Sequence, residues 1–150
     1  MRALGHERRV GLVQFIKACP DSGEIKALRR LSNIEIRICG MGFVPPPDSP
    51  GFEAHRRAAE AGLREARNQL GDPAFDMVVL DEICGAVALG LLAEADVLEA
   101  LDRARPGLVV VLTGRNATPG LVARADTVSR IENVRHALDK GRKAQVGVEY

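Results

Sequence analysis

Residues 77–82 read Met77-Val78-Val79-Leu80-Asp81-Glu82, an apolar run that stops at two carboxylates. Twenty-six residues after Glu82 a second run, Leu108-Val109-Val110-Val111-Leu112, stops at Thr113-Gly114-Arg115. A strand with no polar alternation is buried on both faces, as happens in parallel sheets covered by helices. The polar residues where it ends then lie at the carboxyl edge of the sheet, where open α/β folds bind ligands. An Asp-Glu pair at such an edge suits Mg2+ carrying nucleotide phosphates. The same pair can instead cap a following helix. The glycine-rich phosphate loop that should accompany such a pair does not occur in the chain.

Working outward from these runs, strands alternate with helices. Arg9 to Lys17 (RVGLVQFIK) reads as a strand that is apolar in its middle and polar at its end, bringing Gln14 and Lys17 to the same edge. Asp21, with Glu24 three residues on, has the spacing of a capping box, and Ile25, Leu28 and Leu31 share a helical face. Ile34 to Ile38 (IEIRI) alternates, which predicts a half-exposed strand near a sheet edge. Gly40 to Gly51 is a stiff loop containing Pro45-Pro46-Pro47, since three prolines fit neither helix interior nor central strand. From Phe52 a long helix with Ala59, Leu63, Ala66 and Leu70 on one stripe runs to Gly71-Asp72-Pro73. Glu94 to Ala104 is a further helix, with Val97, Leu98, Leu101 and Ala104 inward. Thr118-Pro119 opens a short helix, Thr127 to Ile131 reads as another strand, and the ending Val146-Gly-Val-Glu-Tyr150 as a last short one. The alternation predicts a three-layer α/β domain with a mostly parallel sheet over residues 1–150.

Composition narrows the partners. Net charge is +1, so no general attraction to nucleic acid or an anionic membrane is expected, and with 3% aromatics and no Trp there is little for bases to stack on. No apolar run is long enough to span a bilayer, and the opening MRALGHERRV is not a signal peptide. Cys19, Cys39 and Cys84 form no zinc or redox motif and read as reduced thiols of a cytoplasmic protein.

Several motifs together resemble the P-loop-type ATP:corrinoid adenosyltransferases. They are Val13-Gln-Phe-Ile-Lys17 with Gly23-Glu24, Gly40-Met-Gly-Phe43, Asp76 to Glu82, Thr113-Gly-Arg115, Ala125-Asp126, Val134-Arg-His136 and the ending Lys143-Ala-Gln-Val-Gly-Val-Glu-Tyr150. Their order and spacing agree over essentially the whole chain. The resemblance implies a RecA-like P-loop fold, homodimers, and transfer of the 5′-deoxyadenosyl group of ATP to a Co(I) corrinoid in cobalamin synthesis or salvage. The metal is itself the nucleophile, so no catalytic acid or base is needed. A different RecA-like ATPase would leave the TGR and KAQxGxxY motifs unexplained.

For individual residues the resemblance implies a Mg2+ site at Glu82 with Asp81 beside it, and ATP contacts from Gln14, Lys17 and Arg115. Lys17 also fits a solvated strand end, and Arg115 an ion pair with a nearby carboxylate. Phe43 is implied as the residue packing on the corrin and displacing its lower axial ligand. Its other reading is an apolar anchor for the proline loop. His136 reads as a structural hydrogen-bonding residue. The basic cluster Arg135, His136, Lys140, Arg142 and Lys143 is either a solvated face or a surface for an acidic electron-transfer flavoprotein.

Three departures stand out. The family's GxGKGKTT-like loop belongs just before the helix ending at Arg2 to His6, so an N-terminally truncated domain lacking the first strand is expected, with an open apolar edge beside RVGLVQFIK. Phe43 is followed by Val44-Pro45 where Thr and Trp are common, and Glu82 by Ile83-Cys-Gly-Ala86 where a Tyr is common. The alternative that follows is a non-catalytic paralogue binding a corrinoid or a full-length partner subunit.

Overall fold

The computed structural model describes residues 1–148. Its elements are α1 (Arg2–Gly5), β1 (Val10–Gln14), α2 (Gly23–Leu28), β2 (Ile34–Ile38), α3 (Phe52–Gly71), β3 (Met77–Asp81), α4 (Ile83–Ala88), α5 (Glu94–Asp102), β4 (Val109–Leu112) and α6 (Pro119–Arg124). A short 3-10 helix follows at Ala137–Lys140. The four strands form one sheet in the order β2-β1-β3-β4, and every pairing is parallel. Helices lie on both faces, the α/β three-layer arrangement of P-loop NTPase-like folds.

One face is the core. Val13, Val78 and Leu80 pack with Val110 and Leu112 against α3, α4 and α5. The stripe expected on α3 is buried throughout, with Ala59, Leu63, Ala66 and Leu70 at 4% exposure or less. On the other face Leu4 of α1 and Leu28 of α2 line a cavity with Val10, Leu12, Met77 and Val79.

The order of the strands fixes where a ligand belongs. From β1 the chain moves to β2 on one side, then crosses back to β3 on the other. The direction reverses between β1 and β3, and the crevice outside their carboxyl ends is the topological switch point at which open α/β sheets bind ligands. Gln14 and Asp81 are register partners there.

Four expectations need correction. The strand at RVGLVQFIK is not beside an open edge, because β1 lies between β2 and β3. The sheet's edges are β2 and β4, and at β4 Val109 and Val111 are exposed. Helix α2 is capped by Ser22 without a side-chain hydrogen bond, so Asp21 and Glu24 make no capping box. Glu24 instead faces Lys17 at 3.9 Å. Residues 127–131 form no strand: they are exposed and pair with no other strand among the described residues. Strand propensity without a partner to close the backbone hydrogen bonds leaves irregular chain. The expected strand over Val146 to Tyr150 is a turn as far as Val148, and its last two residues lie outside the described residues.

Candidate metal and nucleotide site

At the switch point the carboxyl ends of β1, β3 and β4 bring five polar residues together. Asp81 ends β3, and both its oxygens are taken. Oδ1 accepts from the Thr113 hydroxyl at 2.9 Å, and Oδ2 accepts from Gln14 Nε2 at 3.0 Å. Lys17 Nζ adds an ion pair to Oδ2 at 3.6 Å. Lys17 and Gln14 therefore do reach the same edge as the carboxylates.

Glu82 is different. Its carboxylate has no hydrogen-bond or ion-pair partner among the described residues, and it is only partly exposed. Its backbone is left-handed, with φ 62° and ψ 19°, a conformation that costs a non-glycine residue about 1–2 kcal/mol. Helix α4 starts at the next residue, so Glu82 occupies the N-cap position without side-chain capping. The capping role that a strand-end acidic pair can play is thus absent from Glu82's side chain. The chain supports this strained turn by close packing. A Cβ on Gly85 would stand 3.0 Å from Glu82 Oε2. A Cβ on Gly114, at φ +133°, would stand 2.7 Å from the Gly85 nitrogen. Burial, aided by the charge of Glu82, pushes the Cys84 thiol up, which keeps it protonated beside the carboxylates.

Hard oxygen donors suit Mg2+. Glu82 carries the free carboxylate, and Asp81 has its lone pairs committed to Thr113, Gln14 and Lys17. No group of three or more Asp, Glu, His or Cys able to hold a metal occurs among the described residues. Mg2+ usually takes one or two carboxylates and fills the rest of its shell with water and substrate phosphate. Gln14 adds a further signal: it is 3% exposed, and its Oε1 has no partner. A buried orphan acceptor costs about 1–3 kcal/mol.

The remaining sequence candidates are placed as follows. Arg115 is exposed and makes no ion pair among the described residues, so the carboxylate partner considered for it is not found. Phe43 is 93% exposed and does not anchor the proline loop. Val44 and Phe52 pack on the core instead. The loop carrying Phe43 is fastened to the end of β1, with Gly42 N–H donating to Ile16 O at 2.8 Å. At Gly40 a Cβ would stand 2.2 Å from the Ile16 carbonyl carbon, so only glycine fits. Phe43 therefore projects from the carboxyl-edge side of the sheet. His136 is structural, as expected, with Nδ1 accepting from Leu138 N–H at 3.1 Å in a reciprocal cap with Asp139. Its basic neighbours are exposed.

The residue that sequence reasoning missed is Thr113. Its motif was visible as Thr-Gly-Arg, but nothing in a strand-end threonine announces that its hydroxyl reaches across to β3.

The whole chain, residues 1–150, matches the family model described as ATP:corrinoid adenosyltransferase BtuR/CobO/CobP. It is 40% identical over 150 residues to the corrinoid adenosyltransferase CobA of Salmonella typhimurium, covering 99% of this chain and 74% of that one. It is 41% identical over 151 residues to the corrinoid adenosyltransferase of Pseudomonas aeruginosa, covering 99% and 73%. Against that of Escherichia coli K12 it is 36% identical over 149 residues, covering 99% and 74%. No helix among the described residues is long and apolar enough to cross a membrane. With the parallel sheet, the carboxylate pair at its switch point and a match running from end to end, this chain belongs to the ATP:corrinoid adenosyltransferase family of transferases.

Proposed function

We propose that this chain carries the metal and corrinoid sides of an adenosyl transfer from ATP to a Co(I) corrinoid. In that reaction the electron pair on Co(I) forms a bond to C5′ of the ribose. The C5′–O bond breaks, and its electrons leave with triphosphate. No proton moves, so no general base is required, and His136 has none of that work to do. Mg2+, when bound, offsets the charge gathering on the leaving triphosphate. Glu82 is the residue that would hold it directly. Asp81, held by Thr113 and Gln14, would act through ordered water. Lys17 and Arg115 supply positive charge for phosphate or ribose oxygens, and Gln14 Oε1 accepts from a ligand hydroxyl or a metal-bound water. Phe43, exposed on a loop pinned to the same edge, meets the corrin.

The observation that carries this reading is the unpartnered Glu82 carboxylate, held in a strained turn at the switch point. Residues 1–150 contain no GxxxxGK[ST] sequence to cradle the triphosphate, so the chain alone is expected to be inactive. That same feature favours a second reading, a paralogue that binds a corrinoid or a full-length subunit without catalysis. The enzyme reading further implies a cytoplasmic homodimer, and reduction of cobalt by an electron-transfer flavoprotein docking on the exposed Arg135 to Lys143 cluster.

An adenosylation assay with chemically generated cob(I)alamin, ATP and Mg2+ separates the two readings. The chain alone should leave the Co(I) spectrum unchanged. The chain joined to the part of the Salmonella relative outside the match should form light-sensitive adenosylcobalamin. A joined protein that binds cobalamin and transfers nothing would favour the paralogue. Turnover by the chain alone would mean that no separate phosphate cradle is needed.

A further inference from the structure

Thr113 makes four hydrogen bonds, and they fall on four positions of the β3–α4 junction. Its N–H donates to Leu80 O at 3.1 Å, and its carbonyl accepts from Cys84 N–H at 3.1 Å. Its hydroxyl donates to Asp81 Oδ1 at 2.9 Å and accepts from the Glu82 N–H at 3.0 Å. The two backbone bonds continue the sheet and tie β4 to α4. The two hydroxyl bonds have a different target, since they hold one carboxylate directly and the other through its own backbone.

A left-handed non-glycine residue persists only where its surroundings over-determine it. At Glu82 the N–H acceptor comes from Thr113, and Gly114 closes from behind against Gly85 and Cys84. Were Glu82 to relax to negative φ, its Cα substituents would rotate and the carboxylate would leave its place over Gly85. We propose that Thr113 is a positioning residue: its hydroxyl clamps Glu82 in the left-handed turn and orients Asp81, and so sets the geometry of the divalent-cation site. The proposal rests on the metal reading of Glu82 given above and adds to it the group that aims the ligand.

The side chain is separable from the fold. Valine keeps the β-branched shape that suits the end of a strand and retains both backbone bonds, while serine keeps the hydroxyl. At 16.1 kDa the chain is suited to backbone NMR, which reads amide exchange and weak Mn2+ binding residue by residue through paramagnetic broadening. In Thr113→Val the Glu82 amide should lose its protection against exchange while amides of β1 and β3 keep theirs. Mn2+ affinity should fall by about tenfold or more. Thr113→Ser should restore both. A Glu82 amide that stays protected in Thr113→Val would overturn the clamp. Lost protection with wild-type Mn2+ affinity would overturn its role in positioning. Failure of the metal reading is distinct: Glu82→Gln would then bind Mn2+ as the wild type does, whatever the exchange data show.

Discussion

Two adjacent carboxylates in this chain have been given different work by their surroundings. Asp81 is saturated by a hydroxyl, an amide and an ammonium group, whereas Glu82 is left open. The sequence places both at the end of a buried strand but does not distinguish them, because the partners of Asp81 come from β1 and β4, tens of residues away. The open state of Glu82 depends on two glycines that permit close approach. Gly114→Ala would put a methyl group 2.7 Å from the Gly85 nitrogen at φ +133°. Strain of this kind costs about 1–3 kcal/mol, and the clash with backbone adds to it. Urea unfolding of Gly114→Ala should show at least that loss, and a loss below about 0.5 kcal/mol would mean that the turn is not under the constraint described.

At the scale of elements, β1, β3 and α3 were legible because burial leaves a local mark: continuous apolar runs for the strands and a stripe of period 3.6 for the helix. Helix α4 was not, since Ile83-Cys-Gly-Ala-Val-Ala88 is apolar all round and begins without a side-chain cap. Of the two edge strands, β2 was legible from its alternation, whereas β4 was not, for LVVVL reads like a central strand and strand order is a property of long-range pairing. The amino ends of β1 and β3 show how such pairing is secured. Asp76 accepts from Arg9 N–H at 2.9 Å and from Arg8 Nη1 at 3.1 Å, and the Arg9 bond first, then Arg8, holds its carboxyl below the usual carboxylate range. A lowered carboxyl pKa contributes stability that is present above the unfolded value and is lost as pH falls toward the folded one. Acid unfolding followed by circular dichroism should therefore start from lower neutral-pH stability in Asp76→Asn and fall less steeply below about pH 4. Parallel curves for the two proteins would remove Asp76 from the acid response.

For the whole molecule, the sheet topology decides what the chain can do. The chain reverses direction between β1 and β3, and the proposed metal and nucleotide residues lie at that reversal. The sequence revealed the family and the sheet edge to which the proposed site is assigned. It did not reveal that Thr113 couples the two carboxylates, because that coupling exists only once β4 lies beside β3. The most direct test of the account is the Mg2+ dependence of cob(I)alamin adenosylation. It is measured on the chain joined to the unmatched part of the Salmonella relative, comparing Glu82→Gln with Asp81→Asn. The account predicts that Glu82→Gln, losing the direct ligand, falls by more than the roughly 10–100-fold expected for the outer-shell change Asp81→Asn, and that its Mg2+ requirement rises. Wild-type Mg2+ dependence in Glu82→Gln, or a larger loss in Asp81→Asn, would contradict it.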